Sequence, residues 1–107
     1  MPDHSILSLS SAPGVPYNLD GRILFSSDNY ELVHLTLQAG ESMEKHTQPF
    51  DIVFFVVEGR GSLAVGEAVT EIDELTAVYV HSGVPRAWTN SGNRPLKILV
   101  NKLFTTH

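Results

Sequence analysis

His46 and Gln48 stand two residues apart, just ahead of the apolar run Ile52 to Val57. In an extended chain alternate residues share a face, so this imidazole and carboxamide project together. Such a pair suits a metal only in part: imidazole binds readily, but a glutamine oxygen is a weak neutral ligand. The plainer assignment is a hydrogen-bonded polar pair in a cavity. Further along, Arg86, Trp88 and Asn90 share the parity of a second strand. An arginine turned inward needs an anionic partner, because an unpaired buried charge is costly. Glu44, Asp51 and Glu58 are the protein candidates, and a ligand carboxylate or phosphate is the alternative. Trp88, the only tryptophan, either covers a pocket or fills the core, and filling is the commoner use. His81 reads as a rim or surface residue. No serine or threonine lies in a G-x-S-x-G setting, and Gly59-Arg60-Gly61 sits at a strand turn rather than the strand-to-helix junction of a phosphate loop.

Strands must position these groups. Ile52 to Val57 is an unbroken run of β-branched and aromatic residues, the strongest strand signal in the chain. Tyr30 to Gln38 alternates, with Val33, Leu35 and Leu37 facing inward and His34 outward. Ser62 to Val65 and Ala68 to Ile72, joined at Gly66, read as a hairpin. Thr76 to Val80, Arg86 to Thr89 and Leu96 to Phe104 are further strands, and Arg22 to Ser26 a short one. Ser5 to Leu9 is expected as a short edge strand, His46 to Gln48 as the start of a strand broken near Pro49, and residues 1–4 as a flexible end. No amphipathic helix, tandem repeat or linker is evident. About nine to eleven short strands with frequent turns imply an antiparallel sandwich or barrel.

Two stretches make that choice more specific. Gly40, His46 and Gly59 in the first, and Gly83 and Asn90 in the second, fall at the spacings of the two cupin motifs. The chain resembles a small cupin of the conserved-barrel, RmlC-like type. The resemblance covers nearly the whole length and implies an all-β, antiparallel double-sheet barrel, or jelly roll, forming one domain over 1–107. It also implies a homodimer, with Val53, Phe55 and Val57 as an apolar strip on the outer surface. The family holds a metal through two histidines and a glutamate of the first motif and a histidine of the second. Those positions here are His46, Gln48, Ile52 and Arg86, so one of the four ligand types remains. The expected metal content is therefore none. A divalent ion would need a shifted register recruiting His46 and Gln48 with His81 or Asp51, and a one-residue shift turns a side chain to the opposite face.

The 107 residues carry a net charge of −5 and no cysteine. This argues against non-specific binding to nucleic acid or anionic membranes, and it excludes disulfides, thiolate metal sites and cysteine nucleophiles. No run is long enough to span a bilayer and no basic-then-apolar leader opens the chain, so the expected compartment is the cytoplasm. Two functional readings remain. One is a metal-free module that binds a small anionic molecule through His46, Gln48, Arg86 and Trp88. The other is a cupin enzyme, either a metal-dependent oxygenase or isomerase with a non-standard site, or one resembling the metal-free sugar-nucleotide epimerases. Those use a histidine base with an arginine and a lysine in the barrel.

Overall fold

Strand-forming runs separated by polar turns give eight strands: β1 (Asp20–Ser26), β2 (Tyr30–Leu37), β3 (Asp51–Glu58), β4 (Gly61–Val65), β5 (Ala68–Ile72), β6 (Ala77–Val80), β7 (Arg86–Thr89) and β8 (Leu96–Leu103). They are seen in a computed structural model that describes residues 3–16 and 19–104. All pairings are antiparallel, in a five-stranded sheet ordered β1-β2-β8-β3-β6 and a three-stranded sheet ordered β5-β4-β7. The inner faces of the two sheets enclose one core.

The alternation in the sequence decides which face is inner. On β2, Val33, Leu35 and Leu37 are buried, and His34 between them is only half-buried. On β8, Leu96, Ile98 and Val100 take the inner face. On β3, Ile52, Phe54 and Val56 point inward while Val53 and Phe55 are half-buried on the outer face. A register shift between Val56 and Glu58 leaves Val57 exposed. Burying apolar surface between the sheets is the main stabilising term, at about 25 cal/mol per Å² removed from water. The β3–β4 turn is built on Gly59, whose φ of 87° lies in the left-handed region. A Cβ there would also stand 2.5 Å from the Pro95 carbonyl oxygen, so only glycine fits.

Two expected strands differ. Ser5 to Leu9 is not a strand: the local structure is a short 3₁₀ turn at Leu9–Ser11, and residues 5–9 pair with no neighbour. Serines flank the turn, and such residues compete for backbone groups locally instead of feeding a ladder. Likewise, the segment before Pro49 forms no continuous strand. It runs antiparallel to β7 and touches it in two isolated bridges, Ser42 with Thr89 and His46 with Arg86. Proline lacks a ladder donor, which ends the pairing. Among the described residues eight strands are therefore observed, against the about nine to eleven that the turn spacing suggested. Among the described residues no helix is long and apolar enough to cross a membrane.

Candidate functional site

Inward-facing side chains change character along the barrel. On β8 they run from fully buried Leu96 and Ile98, through Val100, to Lys102, whose side chain is partly exposed. On β2 the same direction leads from Leu37 through Leu35 and Val33 to Glu31, and on β3 from Val56 through Phe54 to Ile52. Cross-strand register aligns these series: Val100 lies opposite both Val33 and Phe54, and Lys102 opposite both Glu31 and Ile52. On the facing sheet, Trp88 belongs to the filled end and Arg86 to the other. One end of the barrel is thus solid core. The other encloses a cavity of about 620 Å³, mostly apolar, with Val33, Leu35, Phe54 and Val100 among its walls. Val15 closes part of it, and does so because Gly21 has no side chain: a Cβ at Gly21 would meet a Val15 methyl at 2.8 Å.

The polar groups of the cavity are held from the backbone. His46 and Arg86 exchange two main-chain hydrogen bonds, the His46 amide donating to Arg86 at 3.1 Å and the Arg86 amide to His46 at 3.0 Å. The Gly83 amide donates to the Gln48 carbonyl at 2.8 Å. Beyond Trp88, the fully buried Asn90 donates to the carbonyls of Leu37 at 2.9 Å and Arg94 at 2.8 Å, and accepts from the Gly92 amide at 3.0 Å. Asn90 thereby ties the end of β7 to β2 and to its own turn, and takes no part in the cavity. His46 itself is exposed, with Nδ1 3.1 Å from the Glu44 carbonyl oxygen.

Arg86 decides the electrostatics. It is 3 % exposed, and burial lowers its pKa from the ordinary value. Among the described residues no carboxylate pairs with it. Glu58 pairs with Lys97 at 3.8 Å, Asp51 accepts from the Ser82 amide at 2.8 Å, and Glu44 borders the cavity without an ion pair. A guanidinium does not lose its proton in a protein, so this charge stands unneutralised at the cavity wall. The second cation there is different: Lys102 is held 3.1 Å from Glu31, both largely buried.

His46, Gln48 and Arg86 therefore meet in one cavity, and Ile52, at the fourth family position, joins them. Trp88 does not line it and is fully buried behind Phe54, whose ring it meets edge-on at 5.5 Å. The direct place at a ligand expected for Trp88 is therefore not found: Phe54 stands between the indole and the cavity. The alternative metal set is not assembled. Asp51 lies on the outer face of β3 toward Ser82 and Tyr79, and His81 turns its Nδ1 to the Ser82 carbonyl at 2.8 Å and its ring edge to Tyr79. An imidazole, a neutral amide, an isoleucine and an unpaired guanidinium do not fit a divalent cation. No cluster of three His, Cys, Asp or Glu residues capable of holding a metal occurs among the described residues. Lys102 and Glu31 were missed in the sequence. Their signal was parity: Glu31 continues the inward series Val33, Leu35, Leu37, and Lys102 the series Leu96, Ile98, Val100.

The family model for the cupin domain matches residues 33–101. The chain belongs to the cupin family. No curated protein matches it. Among solved structures, an RmlC-like cupin from Shewanella frigidimarina superposes with a TM-score of 0.84 at 12% identity, covering 98% of this chain and 95% of that one. A cupin from Methanocaldococcus jannaschii with a double-stranded β-helix fold gives 0.75 at 22% identity, covering 80% of both chains. The polyketide cyclase RemF from Streptomyces resistomycificus gives 0.83 at 14% identity, covering 95% of this cupin and 80% of the cyclase. At these identities the likeness concerns the fold, which is the antiparallel double-sheet barrel.

Proposed function

We propose that this cupin binds a small organic anion in its barrel cavity, gripped by Arg86 and without a resident metal. The observation that carries the reading is a guanidinium 3 % exposed, facing a cavity of about 620 Å³, with no carboxylate partner among the described residues. That volume is within the range of about 300–1,000 Å³ usual for small-molecule sites. A carboxylate or phosphate can take two parallel hydrogen bonds from a guanidinium, which supplies orientation as well as energy. His46 and Gln48, on the segment bridged to β7, would add further hydrogen bonds.

The test is a titration with small carboxylates and sugar phosphates, followed by Trp88 fluorescence. Binding against Phe54 should reach the indole at 5.5 Å. Arg86→Ala should abolish the response and Arg86→Lys restore part of it, since lysine lacks the planar fork. A response unchanged in Arg86→Ala would defeat the proposal.

A second reading is favoured by one observation: Lys102 joins His46 and Arg86 at the same cavity, the residue types used by metal-free epimerases of this superfamily. In that reading His46 moves a proton on the bound anion. Incubation in deuterated water would decide it, because an isomerase would wash deuterium into a ligand carbon and a binding module would not.

A further inference from the structure

We propose that the cavity selects singly charged anions with an apolar body, and that Glu31 sets this limit by neutralising Lys102. The inference rests on the anion-binding reading above and adds the ligand class and a specificity residue. Its first ground is the wall. Val15, Leu19, Val33, Leu35, Phe54 and Val100 offer hydrocarbon and no hydrogen-bond partners. Against those six side chains a sugar ring would bury hydroxyls without a bonding partner, which is unfavourable, whereas an alkyl or aryl group gains from leaving water.

The second ground is charge balance. Among the described residues two cations border the cavity, Arg86 and Lys102. Glu31 lies 3.1 Å from the Lys102 ammonium, the two being cross-strand partners on β2 and β8. Their side chains are only 18% and 22% exposed, so the pair is screened weakly by solvent. Lys102 is thus already satisfied, and among the described residues the buried charge left uncompensated at the cavity is that of Arg86, the carboxylate of Glu44 being solvent-exposed. One negative charge on a ligand neutralises it. A second would find no other unpaired cation among the described lining residues and would meet the carboxylate of Glu44, which also borders the cavity, with that of Glu31 held on Lys102. Removing the Glu31 charge frees Lys102, and the same cavity then offers two cations.

The experiment is calorimetric titration of the full chain with straight-chain monocarboxylates from butanoate to octanoate and the dicarboxylates of equal length. The wild-type protein should prefer the monocarboxylate by about tenfold or more, a difference that a single uncompensated charge readily supplies. Glu31→Gln should shrink or reverse that ratio, and Glu31→Asp, which keeps the charge, should preserve it. A structural role alone would weaken both ligands together and leave the ratio unchanged. Should Glu31→Gln fail to fold, the double variant Glu31→Gln with Lys102→Gln, which has no charge at the pair, should retain the monocarboxylate preference, and a shift toward dicarboxylates there overturns the idea. Equal affinity of the wild type for both classes, or a ratio indifferent to Glu31→Gln, overturns the charge limit while leaving anion binding standing. If neither class binds, or if Arg86→Ala binds both as the wild type does, the anion reading falls and this inference falls with it.

Discussion

Replacing Arg86 by methionine separates an arginine waiting for a ligand from one that belongs to the scaffold. Methionine keeps the unbranched stem and the packing along β7 while removing the charge. Had Arg86 been tied to a protein carboxylate, the substitution would strand that carboxylate, a loss of about 3–5 kcal/mol for a buried pair. For a chain of this size each kcal/mol moves Tm by about 4–8 °C, so the drop would exceed about 12 °C. The structure shows no such partner among the described residues, and the guanidinium bears its desolvation without repayment. Arg86→Met should therefore leave Tm within a few degrees of wild type, or raise it. In the wild type, a carboxylate at a hundred times its Kd should add about 2.7 kcal/mol of stability, and this increment should vanish in Arg86→Met. Differential scanning calorimetry with and without ligand reads both quantities. A fall in Tm of the paired size, or a ligand-induced increment that survives the substitution, would refute the reasoning.

Three other outcomes are expected. The outer face of β3 sets Val53 and Phe55 beside Tyr79 and Leu99, an apolar strip of the kind that marks an interface; light scattering should return twice the chain mass, Phe55→Glu should lower it, and a clean wild-type monomer at micromolar concentration would defeat the proposal. His34 has its pKa lowered from 6.5, first by burial and then by Lys97, with Asp20 opposing. The folded state then binds this proton less readily than the unfolded chain, so the stability it contributes is present above pH 6.5 and lost as pH falls toward the lowered value. His34→Gln should flatten the fall in Tm between neutral and mildly acidic pH, and an unchanged slope counts against it. Finally, the wild type should retain less than stoichiometric zinc, nickel, iron or manganese through dialysis. Gln48→His, Ile52→Glu and Arg86→His combined restore the family's ligand types at positions that line one cavity and should retain an ion; full occupancy in the wild type would contradict the charge argument.

Strands were legible wherever a residue's neighbours in sequence were also its determinants. The run at β3, the hairpin β4–β5 and the alternation of β2 carry their periodicity locally, and Val33, Leu35 and Leu37 face the core as their parity required. The motif glycines were legible for a similar reason: Gly40, Gly59 and Gly83 have φ of 84°, 87° and 81°, a backbone region that side chains disfavour. Sequence alone also showed that three of the four family ligand types are replaced. Where pairing depended on distant partners, the sequence misled. Ser5 to Leu9 had strand-like composition but pairs with no strand, and the segment from Ser42 to His46 meets β7 at two isolated bridges instead of a continuous ladder. Tertiary structure alone decided between the two uses the sequence left open for Trp88, placing it in the core behind Phe54, and paired Glu31 with Lys102, residues 71 positions apart in the chain. It also left Arg86 buried without a carboxylate among the described residues, although three acidic residues had been candidates. Whether a charge is satisfied depends on which side chains the two sheets bring within about 4 Å of it, and no spacing along the chain encodes that distance.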